Sequence, residues 1–172
     1  KRAIAFGSSQ SGRYLRQFVH DGFNADEKGR IVFDAVWPHV AGASVGSFNH
    51  RFAQPSPTQP YYPLELFPFR DLTDRDPVTG ISGGILDRAA KANVIPKIFY
   101  TLSSNEYYGR SASLLHTSID GAADAALAPS TRIYHIAGTQ HGSGQLPPRR
   151  TGSAMYESAV TDYRPVMRAL LE

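Results

Sequence analysis

Three residues of this chain have the types needed to hydrolyse an acyl bond: Ser9, Glu106 and His141. A serine hydroxyl is a weak nucleophile unless a neutral imidazole takes its proton during attack. The resulting imidazolium is steadied by a carboxylate on its other nitrogen. In that arrangement Ser9 attacks, His141 moves the proton, and Glu106 orients and stabilises His141. The backbone N–H of Gln10, directly after the nucleophile, would donate to the oxyanion, an interaction whose loss typically costs ~2.7–4 kcal/mol.

Such chemistry requires the hydroxyl to be presented sharply. The stretch Phe6-Gly7-Ser8-Ser9-Gln10-Ser11-Gly12 joins a short apolar run, Ala3 to Phe6, to an amphipathic helical pattern beginning near Ser11. A serine held at positive φ in a strand-to-helix turn needs small residues two before and two after it, where the elements nearly touch. Ser9 has Gly7 and Ser11 there; Ser8 would have Phe6 and Gln10, and Ser11 would have Arg13. The pattern is G-x-S-x-S with Gly12 following.

The elements that must position these residues alternate. Tyr14, Leu15, Phe18 and Val19 recur at helical spacing while Arg13, Arg16 and Gln17 point elsewhere, giving a helix of about 10 residues that ends near Asp21-Gly22. Ile31 to Val36 reads as a second strand leading to Trp37-Pro38-His39, and Gly84 to Asn93 as a short helix. Lys97 to Leu102 reads as a third strand running into the polar turn Ser103-Ser104-Asn105-Glu106. Arg110 to Ser118 reads as helical, Thr131 to Ala137 as the fourth strand, residues 143–153 as loop, and Asp162 to Glu172 as a last helix with Val166, Ala169 and Leu170 on one face. Strands alternating with helices imply an α/β fold: a parallel sheet with helices on its faces. Ser9, Glu106 and His141 then each follow the carboxyl end of a strand, where chemistry collects in such sheets.

Residues 42–80 break the alternation. Prolines 55, 57, 60, 63, 68 and 77 interrupt Phe48, Phe52, Tyr61, Tyr62, Phe67 and Phe69. Too apolar for a disordered segment, this reads as an ordered loop excursion over one end of the sheet, either lining a substrate pocket or packed there with no ligand role.

For the acid, Asp120 and Asp124 are nearer His141 in sequence, but they follow a helix rather than a strand, which favours Glu106. His39, after the second strand, is placed to face the pocket; His20, His50, His116 and His135 read as surface or core residues. With no cysteine, disulfides and thiolate chemistry are excluded. No H-E-x-x-H, H-x-H or aspartate-rich spacing, P-loop or G-x-G-x-x-G turn occurs, so the expectation is no metal and no cofactor. The 172 residues carry a formal net charge of +3 without clustering, so neither nucleic acid nor a membrane surface is an expected partner. No run reaches the roughly 18 apolar residues of a membrane span, and the chain reads as soluble, with its compartment left open.

Four blocks, Gly7 to Arg16, Ser47 to Ala53, Glu106 to Arg110 and Ala137 to His141, together resemble a group of bacterial α/β-hydrolase-domain proteins. The likeness runs over nearly the whole chain. It implies a serine esterase-like hydrolase of carboxylic esters working through an acyl-enzyme, with nucleophile, acid and base on Ser9, Glu106 and His141. The chain order nucleophile, acid, base is that of α/β-hydrolases.

Members of that family are longer, with about four strands before the nucleophile strand. The resemblance therefore implies a partial fold: residues 1–172 as a single truncated domain, about four parallel strands equivalent to the last four of the hydrolase sheet. Its first strand, Ala3 to Phe6, would be an exposed apolar edge, and such an edge invites pairing. The expectation is a homodimer, or association with a chain supplying the missing N-terminal half. The second oxyanion donor normally comes from a loop after an earlier strand. A non-catalytic binding module that keeps the fold without a complete oxyanion hole is the competing reading.

Overall fold

The apolar runs supply the strands of the main sheet, the first passing through Gly7 and the second through Pro38. The computed structural model describes residues 1–46, 48, 66–145, 147 and 161–172. In chain order the elements are β1 (Ile4–Ser8), α1 (Gln10–His20), β2 (Ala35–His39), β3 (Asp74–Arg75), β4 (Ser82–Gly83), α2 (Asp87–Lys91), β5 (Lys97–Ser103), α3 (Ser104–Gly109), a 3₁₀ turn (Ala112–Leu115), β6 (Thr131–Ile136) and α4 (Arg164–Leu171). The main sheet is parallel, in the order β1-β2-β5-β6, and β3 and β4 form a separate antiparallel ribbon. This is the expected class, an α/β fold with a four-stranded parallel sheet flanked by helices.

α1 stops where the sequence places its end. The N–H of Phe23 donates to Phe18 O at 3.0 Å and that of Gly22 to Val19 O at 3.0 Å. Gly22 sits at φ 81°, where a side chain would be strained, which makes this the glycine-terminated cap of a helix.

Four expectations need correction. The second strand runs through Pro38 to His39 instead of occupying Ile31–Val36. Proline lacks the N–H a ladder needs, but the register between β2 and β5 has no partners at Trp37 and Pro38, so the deficit falls in a gap. Ile31 instead pairs with Ala25 in a small hairpin, closed by Asp26 Oδ1 accepting the N–H groups of Lys28 and Arg30. Second, Ser103-Ser104-Asn105-Glu106 is not a turn but opens α3. Third, the helical reading of Arg110–Ser118 contracts to one 3₁₀ turn.

The fourth correction concerns α1. Tyr14 is 49% exposed, whereas Arg16 and Gln17, read as pointing outward, are buried. Arg16 is accepted inside because its guanidinium finds partners: Tyr100 Oη at 2.8 Å, Ala43 O at 2.5 Å and Phe69 O at 2.8 Å. The Tyr100 hydroxyl donates in turn to Asp71 Oδ1 at 2.8 Å, and Thr131 Oγ1 donates to Asp71 Oδ2 at 2.6 Å. A buried charge is tolerated only when so paired and hydrogen-bonded.

That grip holds both limbs of the 42–80 excursion. Ala43 and Phe69 lie on opposite limbs, and between them Val45 and Leu66 form an antiparallel bridge, Val45 N donating to Leu66 O at 3.1 Å. Of the aromatic residues expected to line a pocket, Phe52, Tyr61 and Tyr62 lie outside the described residues, as does His50, whereas Phe69 is buried in the core with Phe67 packed against it and Phe48 meets Tyr14 edge-on.

The two faces of the sheet differ. One packs Val36, Ile98, Tyr100 and Leu102 with Val19, Ile85, Ala89 and Val94 in the core. The other carries one aromatic ring from each strand in a row: Phe6 to Trp37 at 5.3 Å, Trp37 to Phe99 at 5.1 Å, Phe99 to Tyr134 at 4.8 Å. α4, with no buried residue, lies along that face.

Candidate active site

The strand-to-helix turn fixes Ser9. β1 delivers it and α1 begins directly after it, with Ser9 at φ 57°, ψ −119°, a backbone conformation costly for a side-chain-bearing residue. Its N–H donates to His39 O at the end of β2, 2.9 Å away, and its own carbonyl accepts the N–H of Arg13 at 3.0 Å. Glycine is required on both sides. A Cβ on Gly7 would lie 2.5 Å from Ser11 O, and one on Gly12 would lie 2.9 Å from both Gly7 O and His39 O. The second tight position is therefore Gly12, three residues after the serine, and Ser11, two after, is exposed. Gln10 is the first residue of α1, so its N–H is one of the first-turn donors with no acceptor inside the helix. That end of the helix also bears the positive pole of its dipole.

Glu106 is 0% exposed and is held by the turn that encloses it. Ser103 caps α3 and Glu106 stands three residues later, a reciprocal capping box. Ser103 Oγ donates to Glu106 Oε2, which also accepts the Ser103 N–H at 3.3 Å; Asn105 Nδ2 donates to Oε1 at 2.7 Å. Burial alone would push this carboxyl up, but the hydrogen bonds from Ser103, Asn105 and His141 outweigh it and hold the group below the ordinary carboxylate range.

His141 joins the other two. Its Nδ1 lies 2.5 Å from Glu106 Oε1 and its Nε2 lies 2.9 Å from Ser9 Oγ. An ionised carboxylate only accepts, so Nδ1 carries the proton; Nε2 of the neutral ring is then the acceptor for the serine hydroxyl. Residues separated by 132 positions are thus in line. Asp120 and Asp124 take no part: Asp120 accepts from Ser118 and the Ala122 N–H, and Asp124 pairs with Thr117 in a bridge.

Of the other histidines, His39 lies beside the site. It is buried, its Nδ1 is 2.8 Å from Thr101 Oγ1, and its ring stacks on Phe6 at 6.1 Å and meets Tyr163 edge-on at 5.5 Å. Burial lowers its pKa; Glu106 opposes that shift and His141 adds to it. His135 stacks flat on Tyr107 at 4.5 Å, and His116 Nε2 lies 3.1 Å from Tyr107 Oη. His20 is partly buried against Gln17 and Asp21.

Two groups of residues next to the site go beyond the sequence expectations. The first is the capping box, whose signal is the S-x-x-E spacing of Ser103 and Glu106. The second is the segment Thr161–Tyr163, which ties down the loop carrying His141 and has no periodicity to reveal it. Among the described residues no three His, Asp or Glu side chains cluster in a way that would hold a metal ion, and no helix is long and apolar enough to cross a membrane.

With this geometry in view, comparison with known families is specific: a family described as alpha/beta hydrolase domain matches residues 1–168. No curated protein and no solved structure gave a significant match.

Proposed function

The chain belongs to the alpha/beta hydrolase domain family and is of hydrolase type; from that premise we propose that it cleaves carboxylic esters through an acyl-enzyme, with Ser9 as nucleophile, His141 as base and Glu106 as its orienting acid. The observation that carries this reading is the unbroken line from Ser9 Oγ to His141 Nε2, 2.9 Å, and from His141 Nδ1 to Glu106 Oε1, 2.5 Å, at a serine held at positive φ.

The steps follow from those atoms. Ser9 Oγ attacks the ester carbonyl carbon as its proton passes to His141 Nε2, and the imidazolium is stabilised by Glu106. The carbonyl oxygen becomes an oxyanion near the start of α1, where the Gln10 N–H donates to it. Collapse breaks the bond to the alkoxy oxygen, which leaves with the proton from His141. Water, deprotonated by His141, then attacks the acyl carbon, and the carboxylic acid leaves as Ser9 Oγ recovers its proton. Glu106 stays ionised throughout, as its lowered pKa favours.

The test is turnover of p-nitrophenyl acetate and butyrate by the wild type and Ser9→Ala, with fluorophosphonate labelling mapped to Ser9. Equal rates for the two proteins, with no label on Ser9, end the proposal.

The reading includes a partner. β1 lies at the sheet margin with Ile4 57% and Phe6 54% exposed, an edge that is unpaired among the described residues and suited to receive a strand from a second copy or a separate chain. Sedimentation at micromolar concentration is expected to reveal association that Ile4→Lys weakens; a clean wild-type monomer removes this part.

A further inference from the structure

Resting on the hydrolase reading above, we infer that Tyr163, with Thr161 beside it, is a positioning residue that sets where the His141 imidazole stands relative to Ser9. The loop after β6 would otherwise be a poor mount for a base. The His141 side chain is 46% exposed, whereas the carboxylate it meets is fully enclosed. A flexible loop residue cannot keep 2.9 Å to a hydroxyl unless its backbone is fixed from elsewhere.

The fixing comes from the residues that lead into α4. The Tyr163 hydroxyl donates to the carbonyl of His141 itself, at 2.8 Å. One residue earlier, Gln140 spans the gap, its Nε2 donating to Thr161 O at 3.0 Å and its Oε1 accepting the Thr161 N–H at 3.3 Å. Further along, Gly144 N donates to Thr161 O at 3.0 Å, and Ser143 Oγ donates to Asp162 Oδ1 at 2.9 Å. Ties at 140, 141, 143 and 144 thus converge on three consecutive residues, 161–163. On the other side Ser104 completes the clamp: its N–H donates to Thr139 O at 3.1 Å and its Oγ accepts the Gly138 N–H at 2.9 Å.

Tyr163 is itself firmly seated. The residue is 2% exposed, and its ring packs edge-on against His39, which stacks on Phe6. The column Phe6, His39, Tyr163 runs from the edge strand to the backbone of the base. Burial and the Glu106 charge both push the Tyr163 phenol up from its ordinary value, so it remains a donor at neutral pH. A buried hydroxyl aimed at the one carbonyl belonging to the base acts on geometry rather than on bond making.

The experiment compares the wild type with Tyr163→Phe, which keeps the ring and deletes the donor, by steady-state kinetics on p-nitrophenyl butyrate, fluorophosphonate labelling of Ser9, and ¹⁵N spectra of the His141 ring assigned with His141→Gln. We expect kcat and the labelling rate to fall about tenfold or more while KM stays within about twofold, with the His141 ring signals displaced or broadened. Unchanged kcat and superimposable ring signals overturn the inference and leave the hydrolase reading intact. If the wild type neither turns over ester nor labels at Ser9, the hydrolase reading falls, and the ring signals alone decide: displaced in Tyr163→Phe they support the positioning role, superimposable they refute it. Should Tyr163→Phe not fold, Gln140→Ala removes the neighbouring tie at a partly exposed side chain. A kcat loss of about threefold at constant KM then supports the inference, and wild-type kcat refutes it.

Discussion

The acid and the base of one hydrogen-bonded line are anchored in opposite ways. Apart from its bond to His141, Glu106 is held by residues within three positions of itself, Ser103 and Asn105, in a helix-capping turn. His141 is half exposed and is steadied by residues some twenty positions away, Thr161 and Tyr163. The one anchor lies within a single turn of chain, whereas the other joins two segments and holds only while the residues leading into α4 are docked. The orientation of the carboxylate is therefore built in, and that of the imidazole is conditional.

The largest effect should come from breaking the acid side. Glu106→Gln keeps the shape but no longer enforces the Nδ1–H form of His141, and kcat should fall on the order of 10³–10⁴-fold. A loss under tenfold in ester turnover would show that Glu106 is not the orienting acid. Ser103→Ala sharpens the contrast: losing the cap and one carboxylate partner should lower kcat about 10- to 100-fold and stability by about 1 kcal/mol. Stability falling in urea with kcat unmoved would reduce the capping box to scaffolding.

Acid pH tests both halves at once. Because the folded pKa of His39 is lowered, mainly by burial, the unfolded chain takes up that proton first. Stability is present in full above the ordinary value of 6.5 and declines as pH drops below it. His20, lowered for the same leading reason, adds to this decline, while Glu106, also lowered, adds its share only below its ordinary value of 4.5. The melting temperature should therefore fall from pH 7 to pH 5, and less steeply in His39→Gln; identical slopes would mean that the buried ring is not responsible. The smallest effect is expected at the rim of the clamp: Asp162→Asn, which weakens the Ser143 tie but spares Tyr163, should leave kcat within about twofold. A tenfold loss there would shift the weight of the clamp from Tyr163 to Asp162.

The same contrast explains what could be read in advance. Ser9 was legible because its turn is written in adjacent residues, Gly7 and Gly12 included, and His141 because it follows a strand with clear β-rich composition. Glu106 was legible by address but not by element: a helix of six residues has too little periodicity to register, and its S-x-x-E cap was read as polar loop. Arg16 was misplaced because helical patterning sorts residues by polarity, whereas burial here was decided by carbonyls of Ala43 and Phe69 that come together only in three dimensions. The second strand was placed too early, at Ile31–Val36, because the gap in the ladder that lets it run through Pro38 depends on strand order. Tyr163 and Thr161 could not be found from spacing, since a clamp between two loops follows no repeat.

The bridged neck between Val45 and Leu66 carries a consequence for engineering. Since Arg16, on the helix that starts at the nucleophile, grips both limbs just outside that bridge, the two limbs form a natural splice point. Chimaeras exchanging the stretch between Val45 and Leu66 should retain the parent's melting transition and fluorophosphonate reactivity. Loss of the transition in such grafts would reveal that the neck does not insulate the scaffold from what it carries.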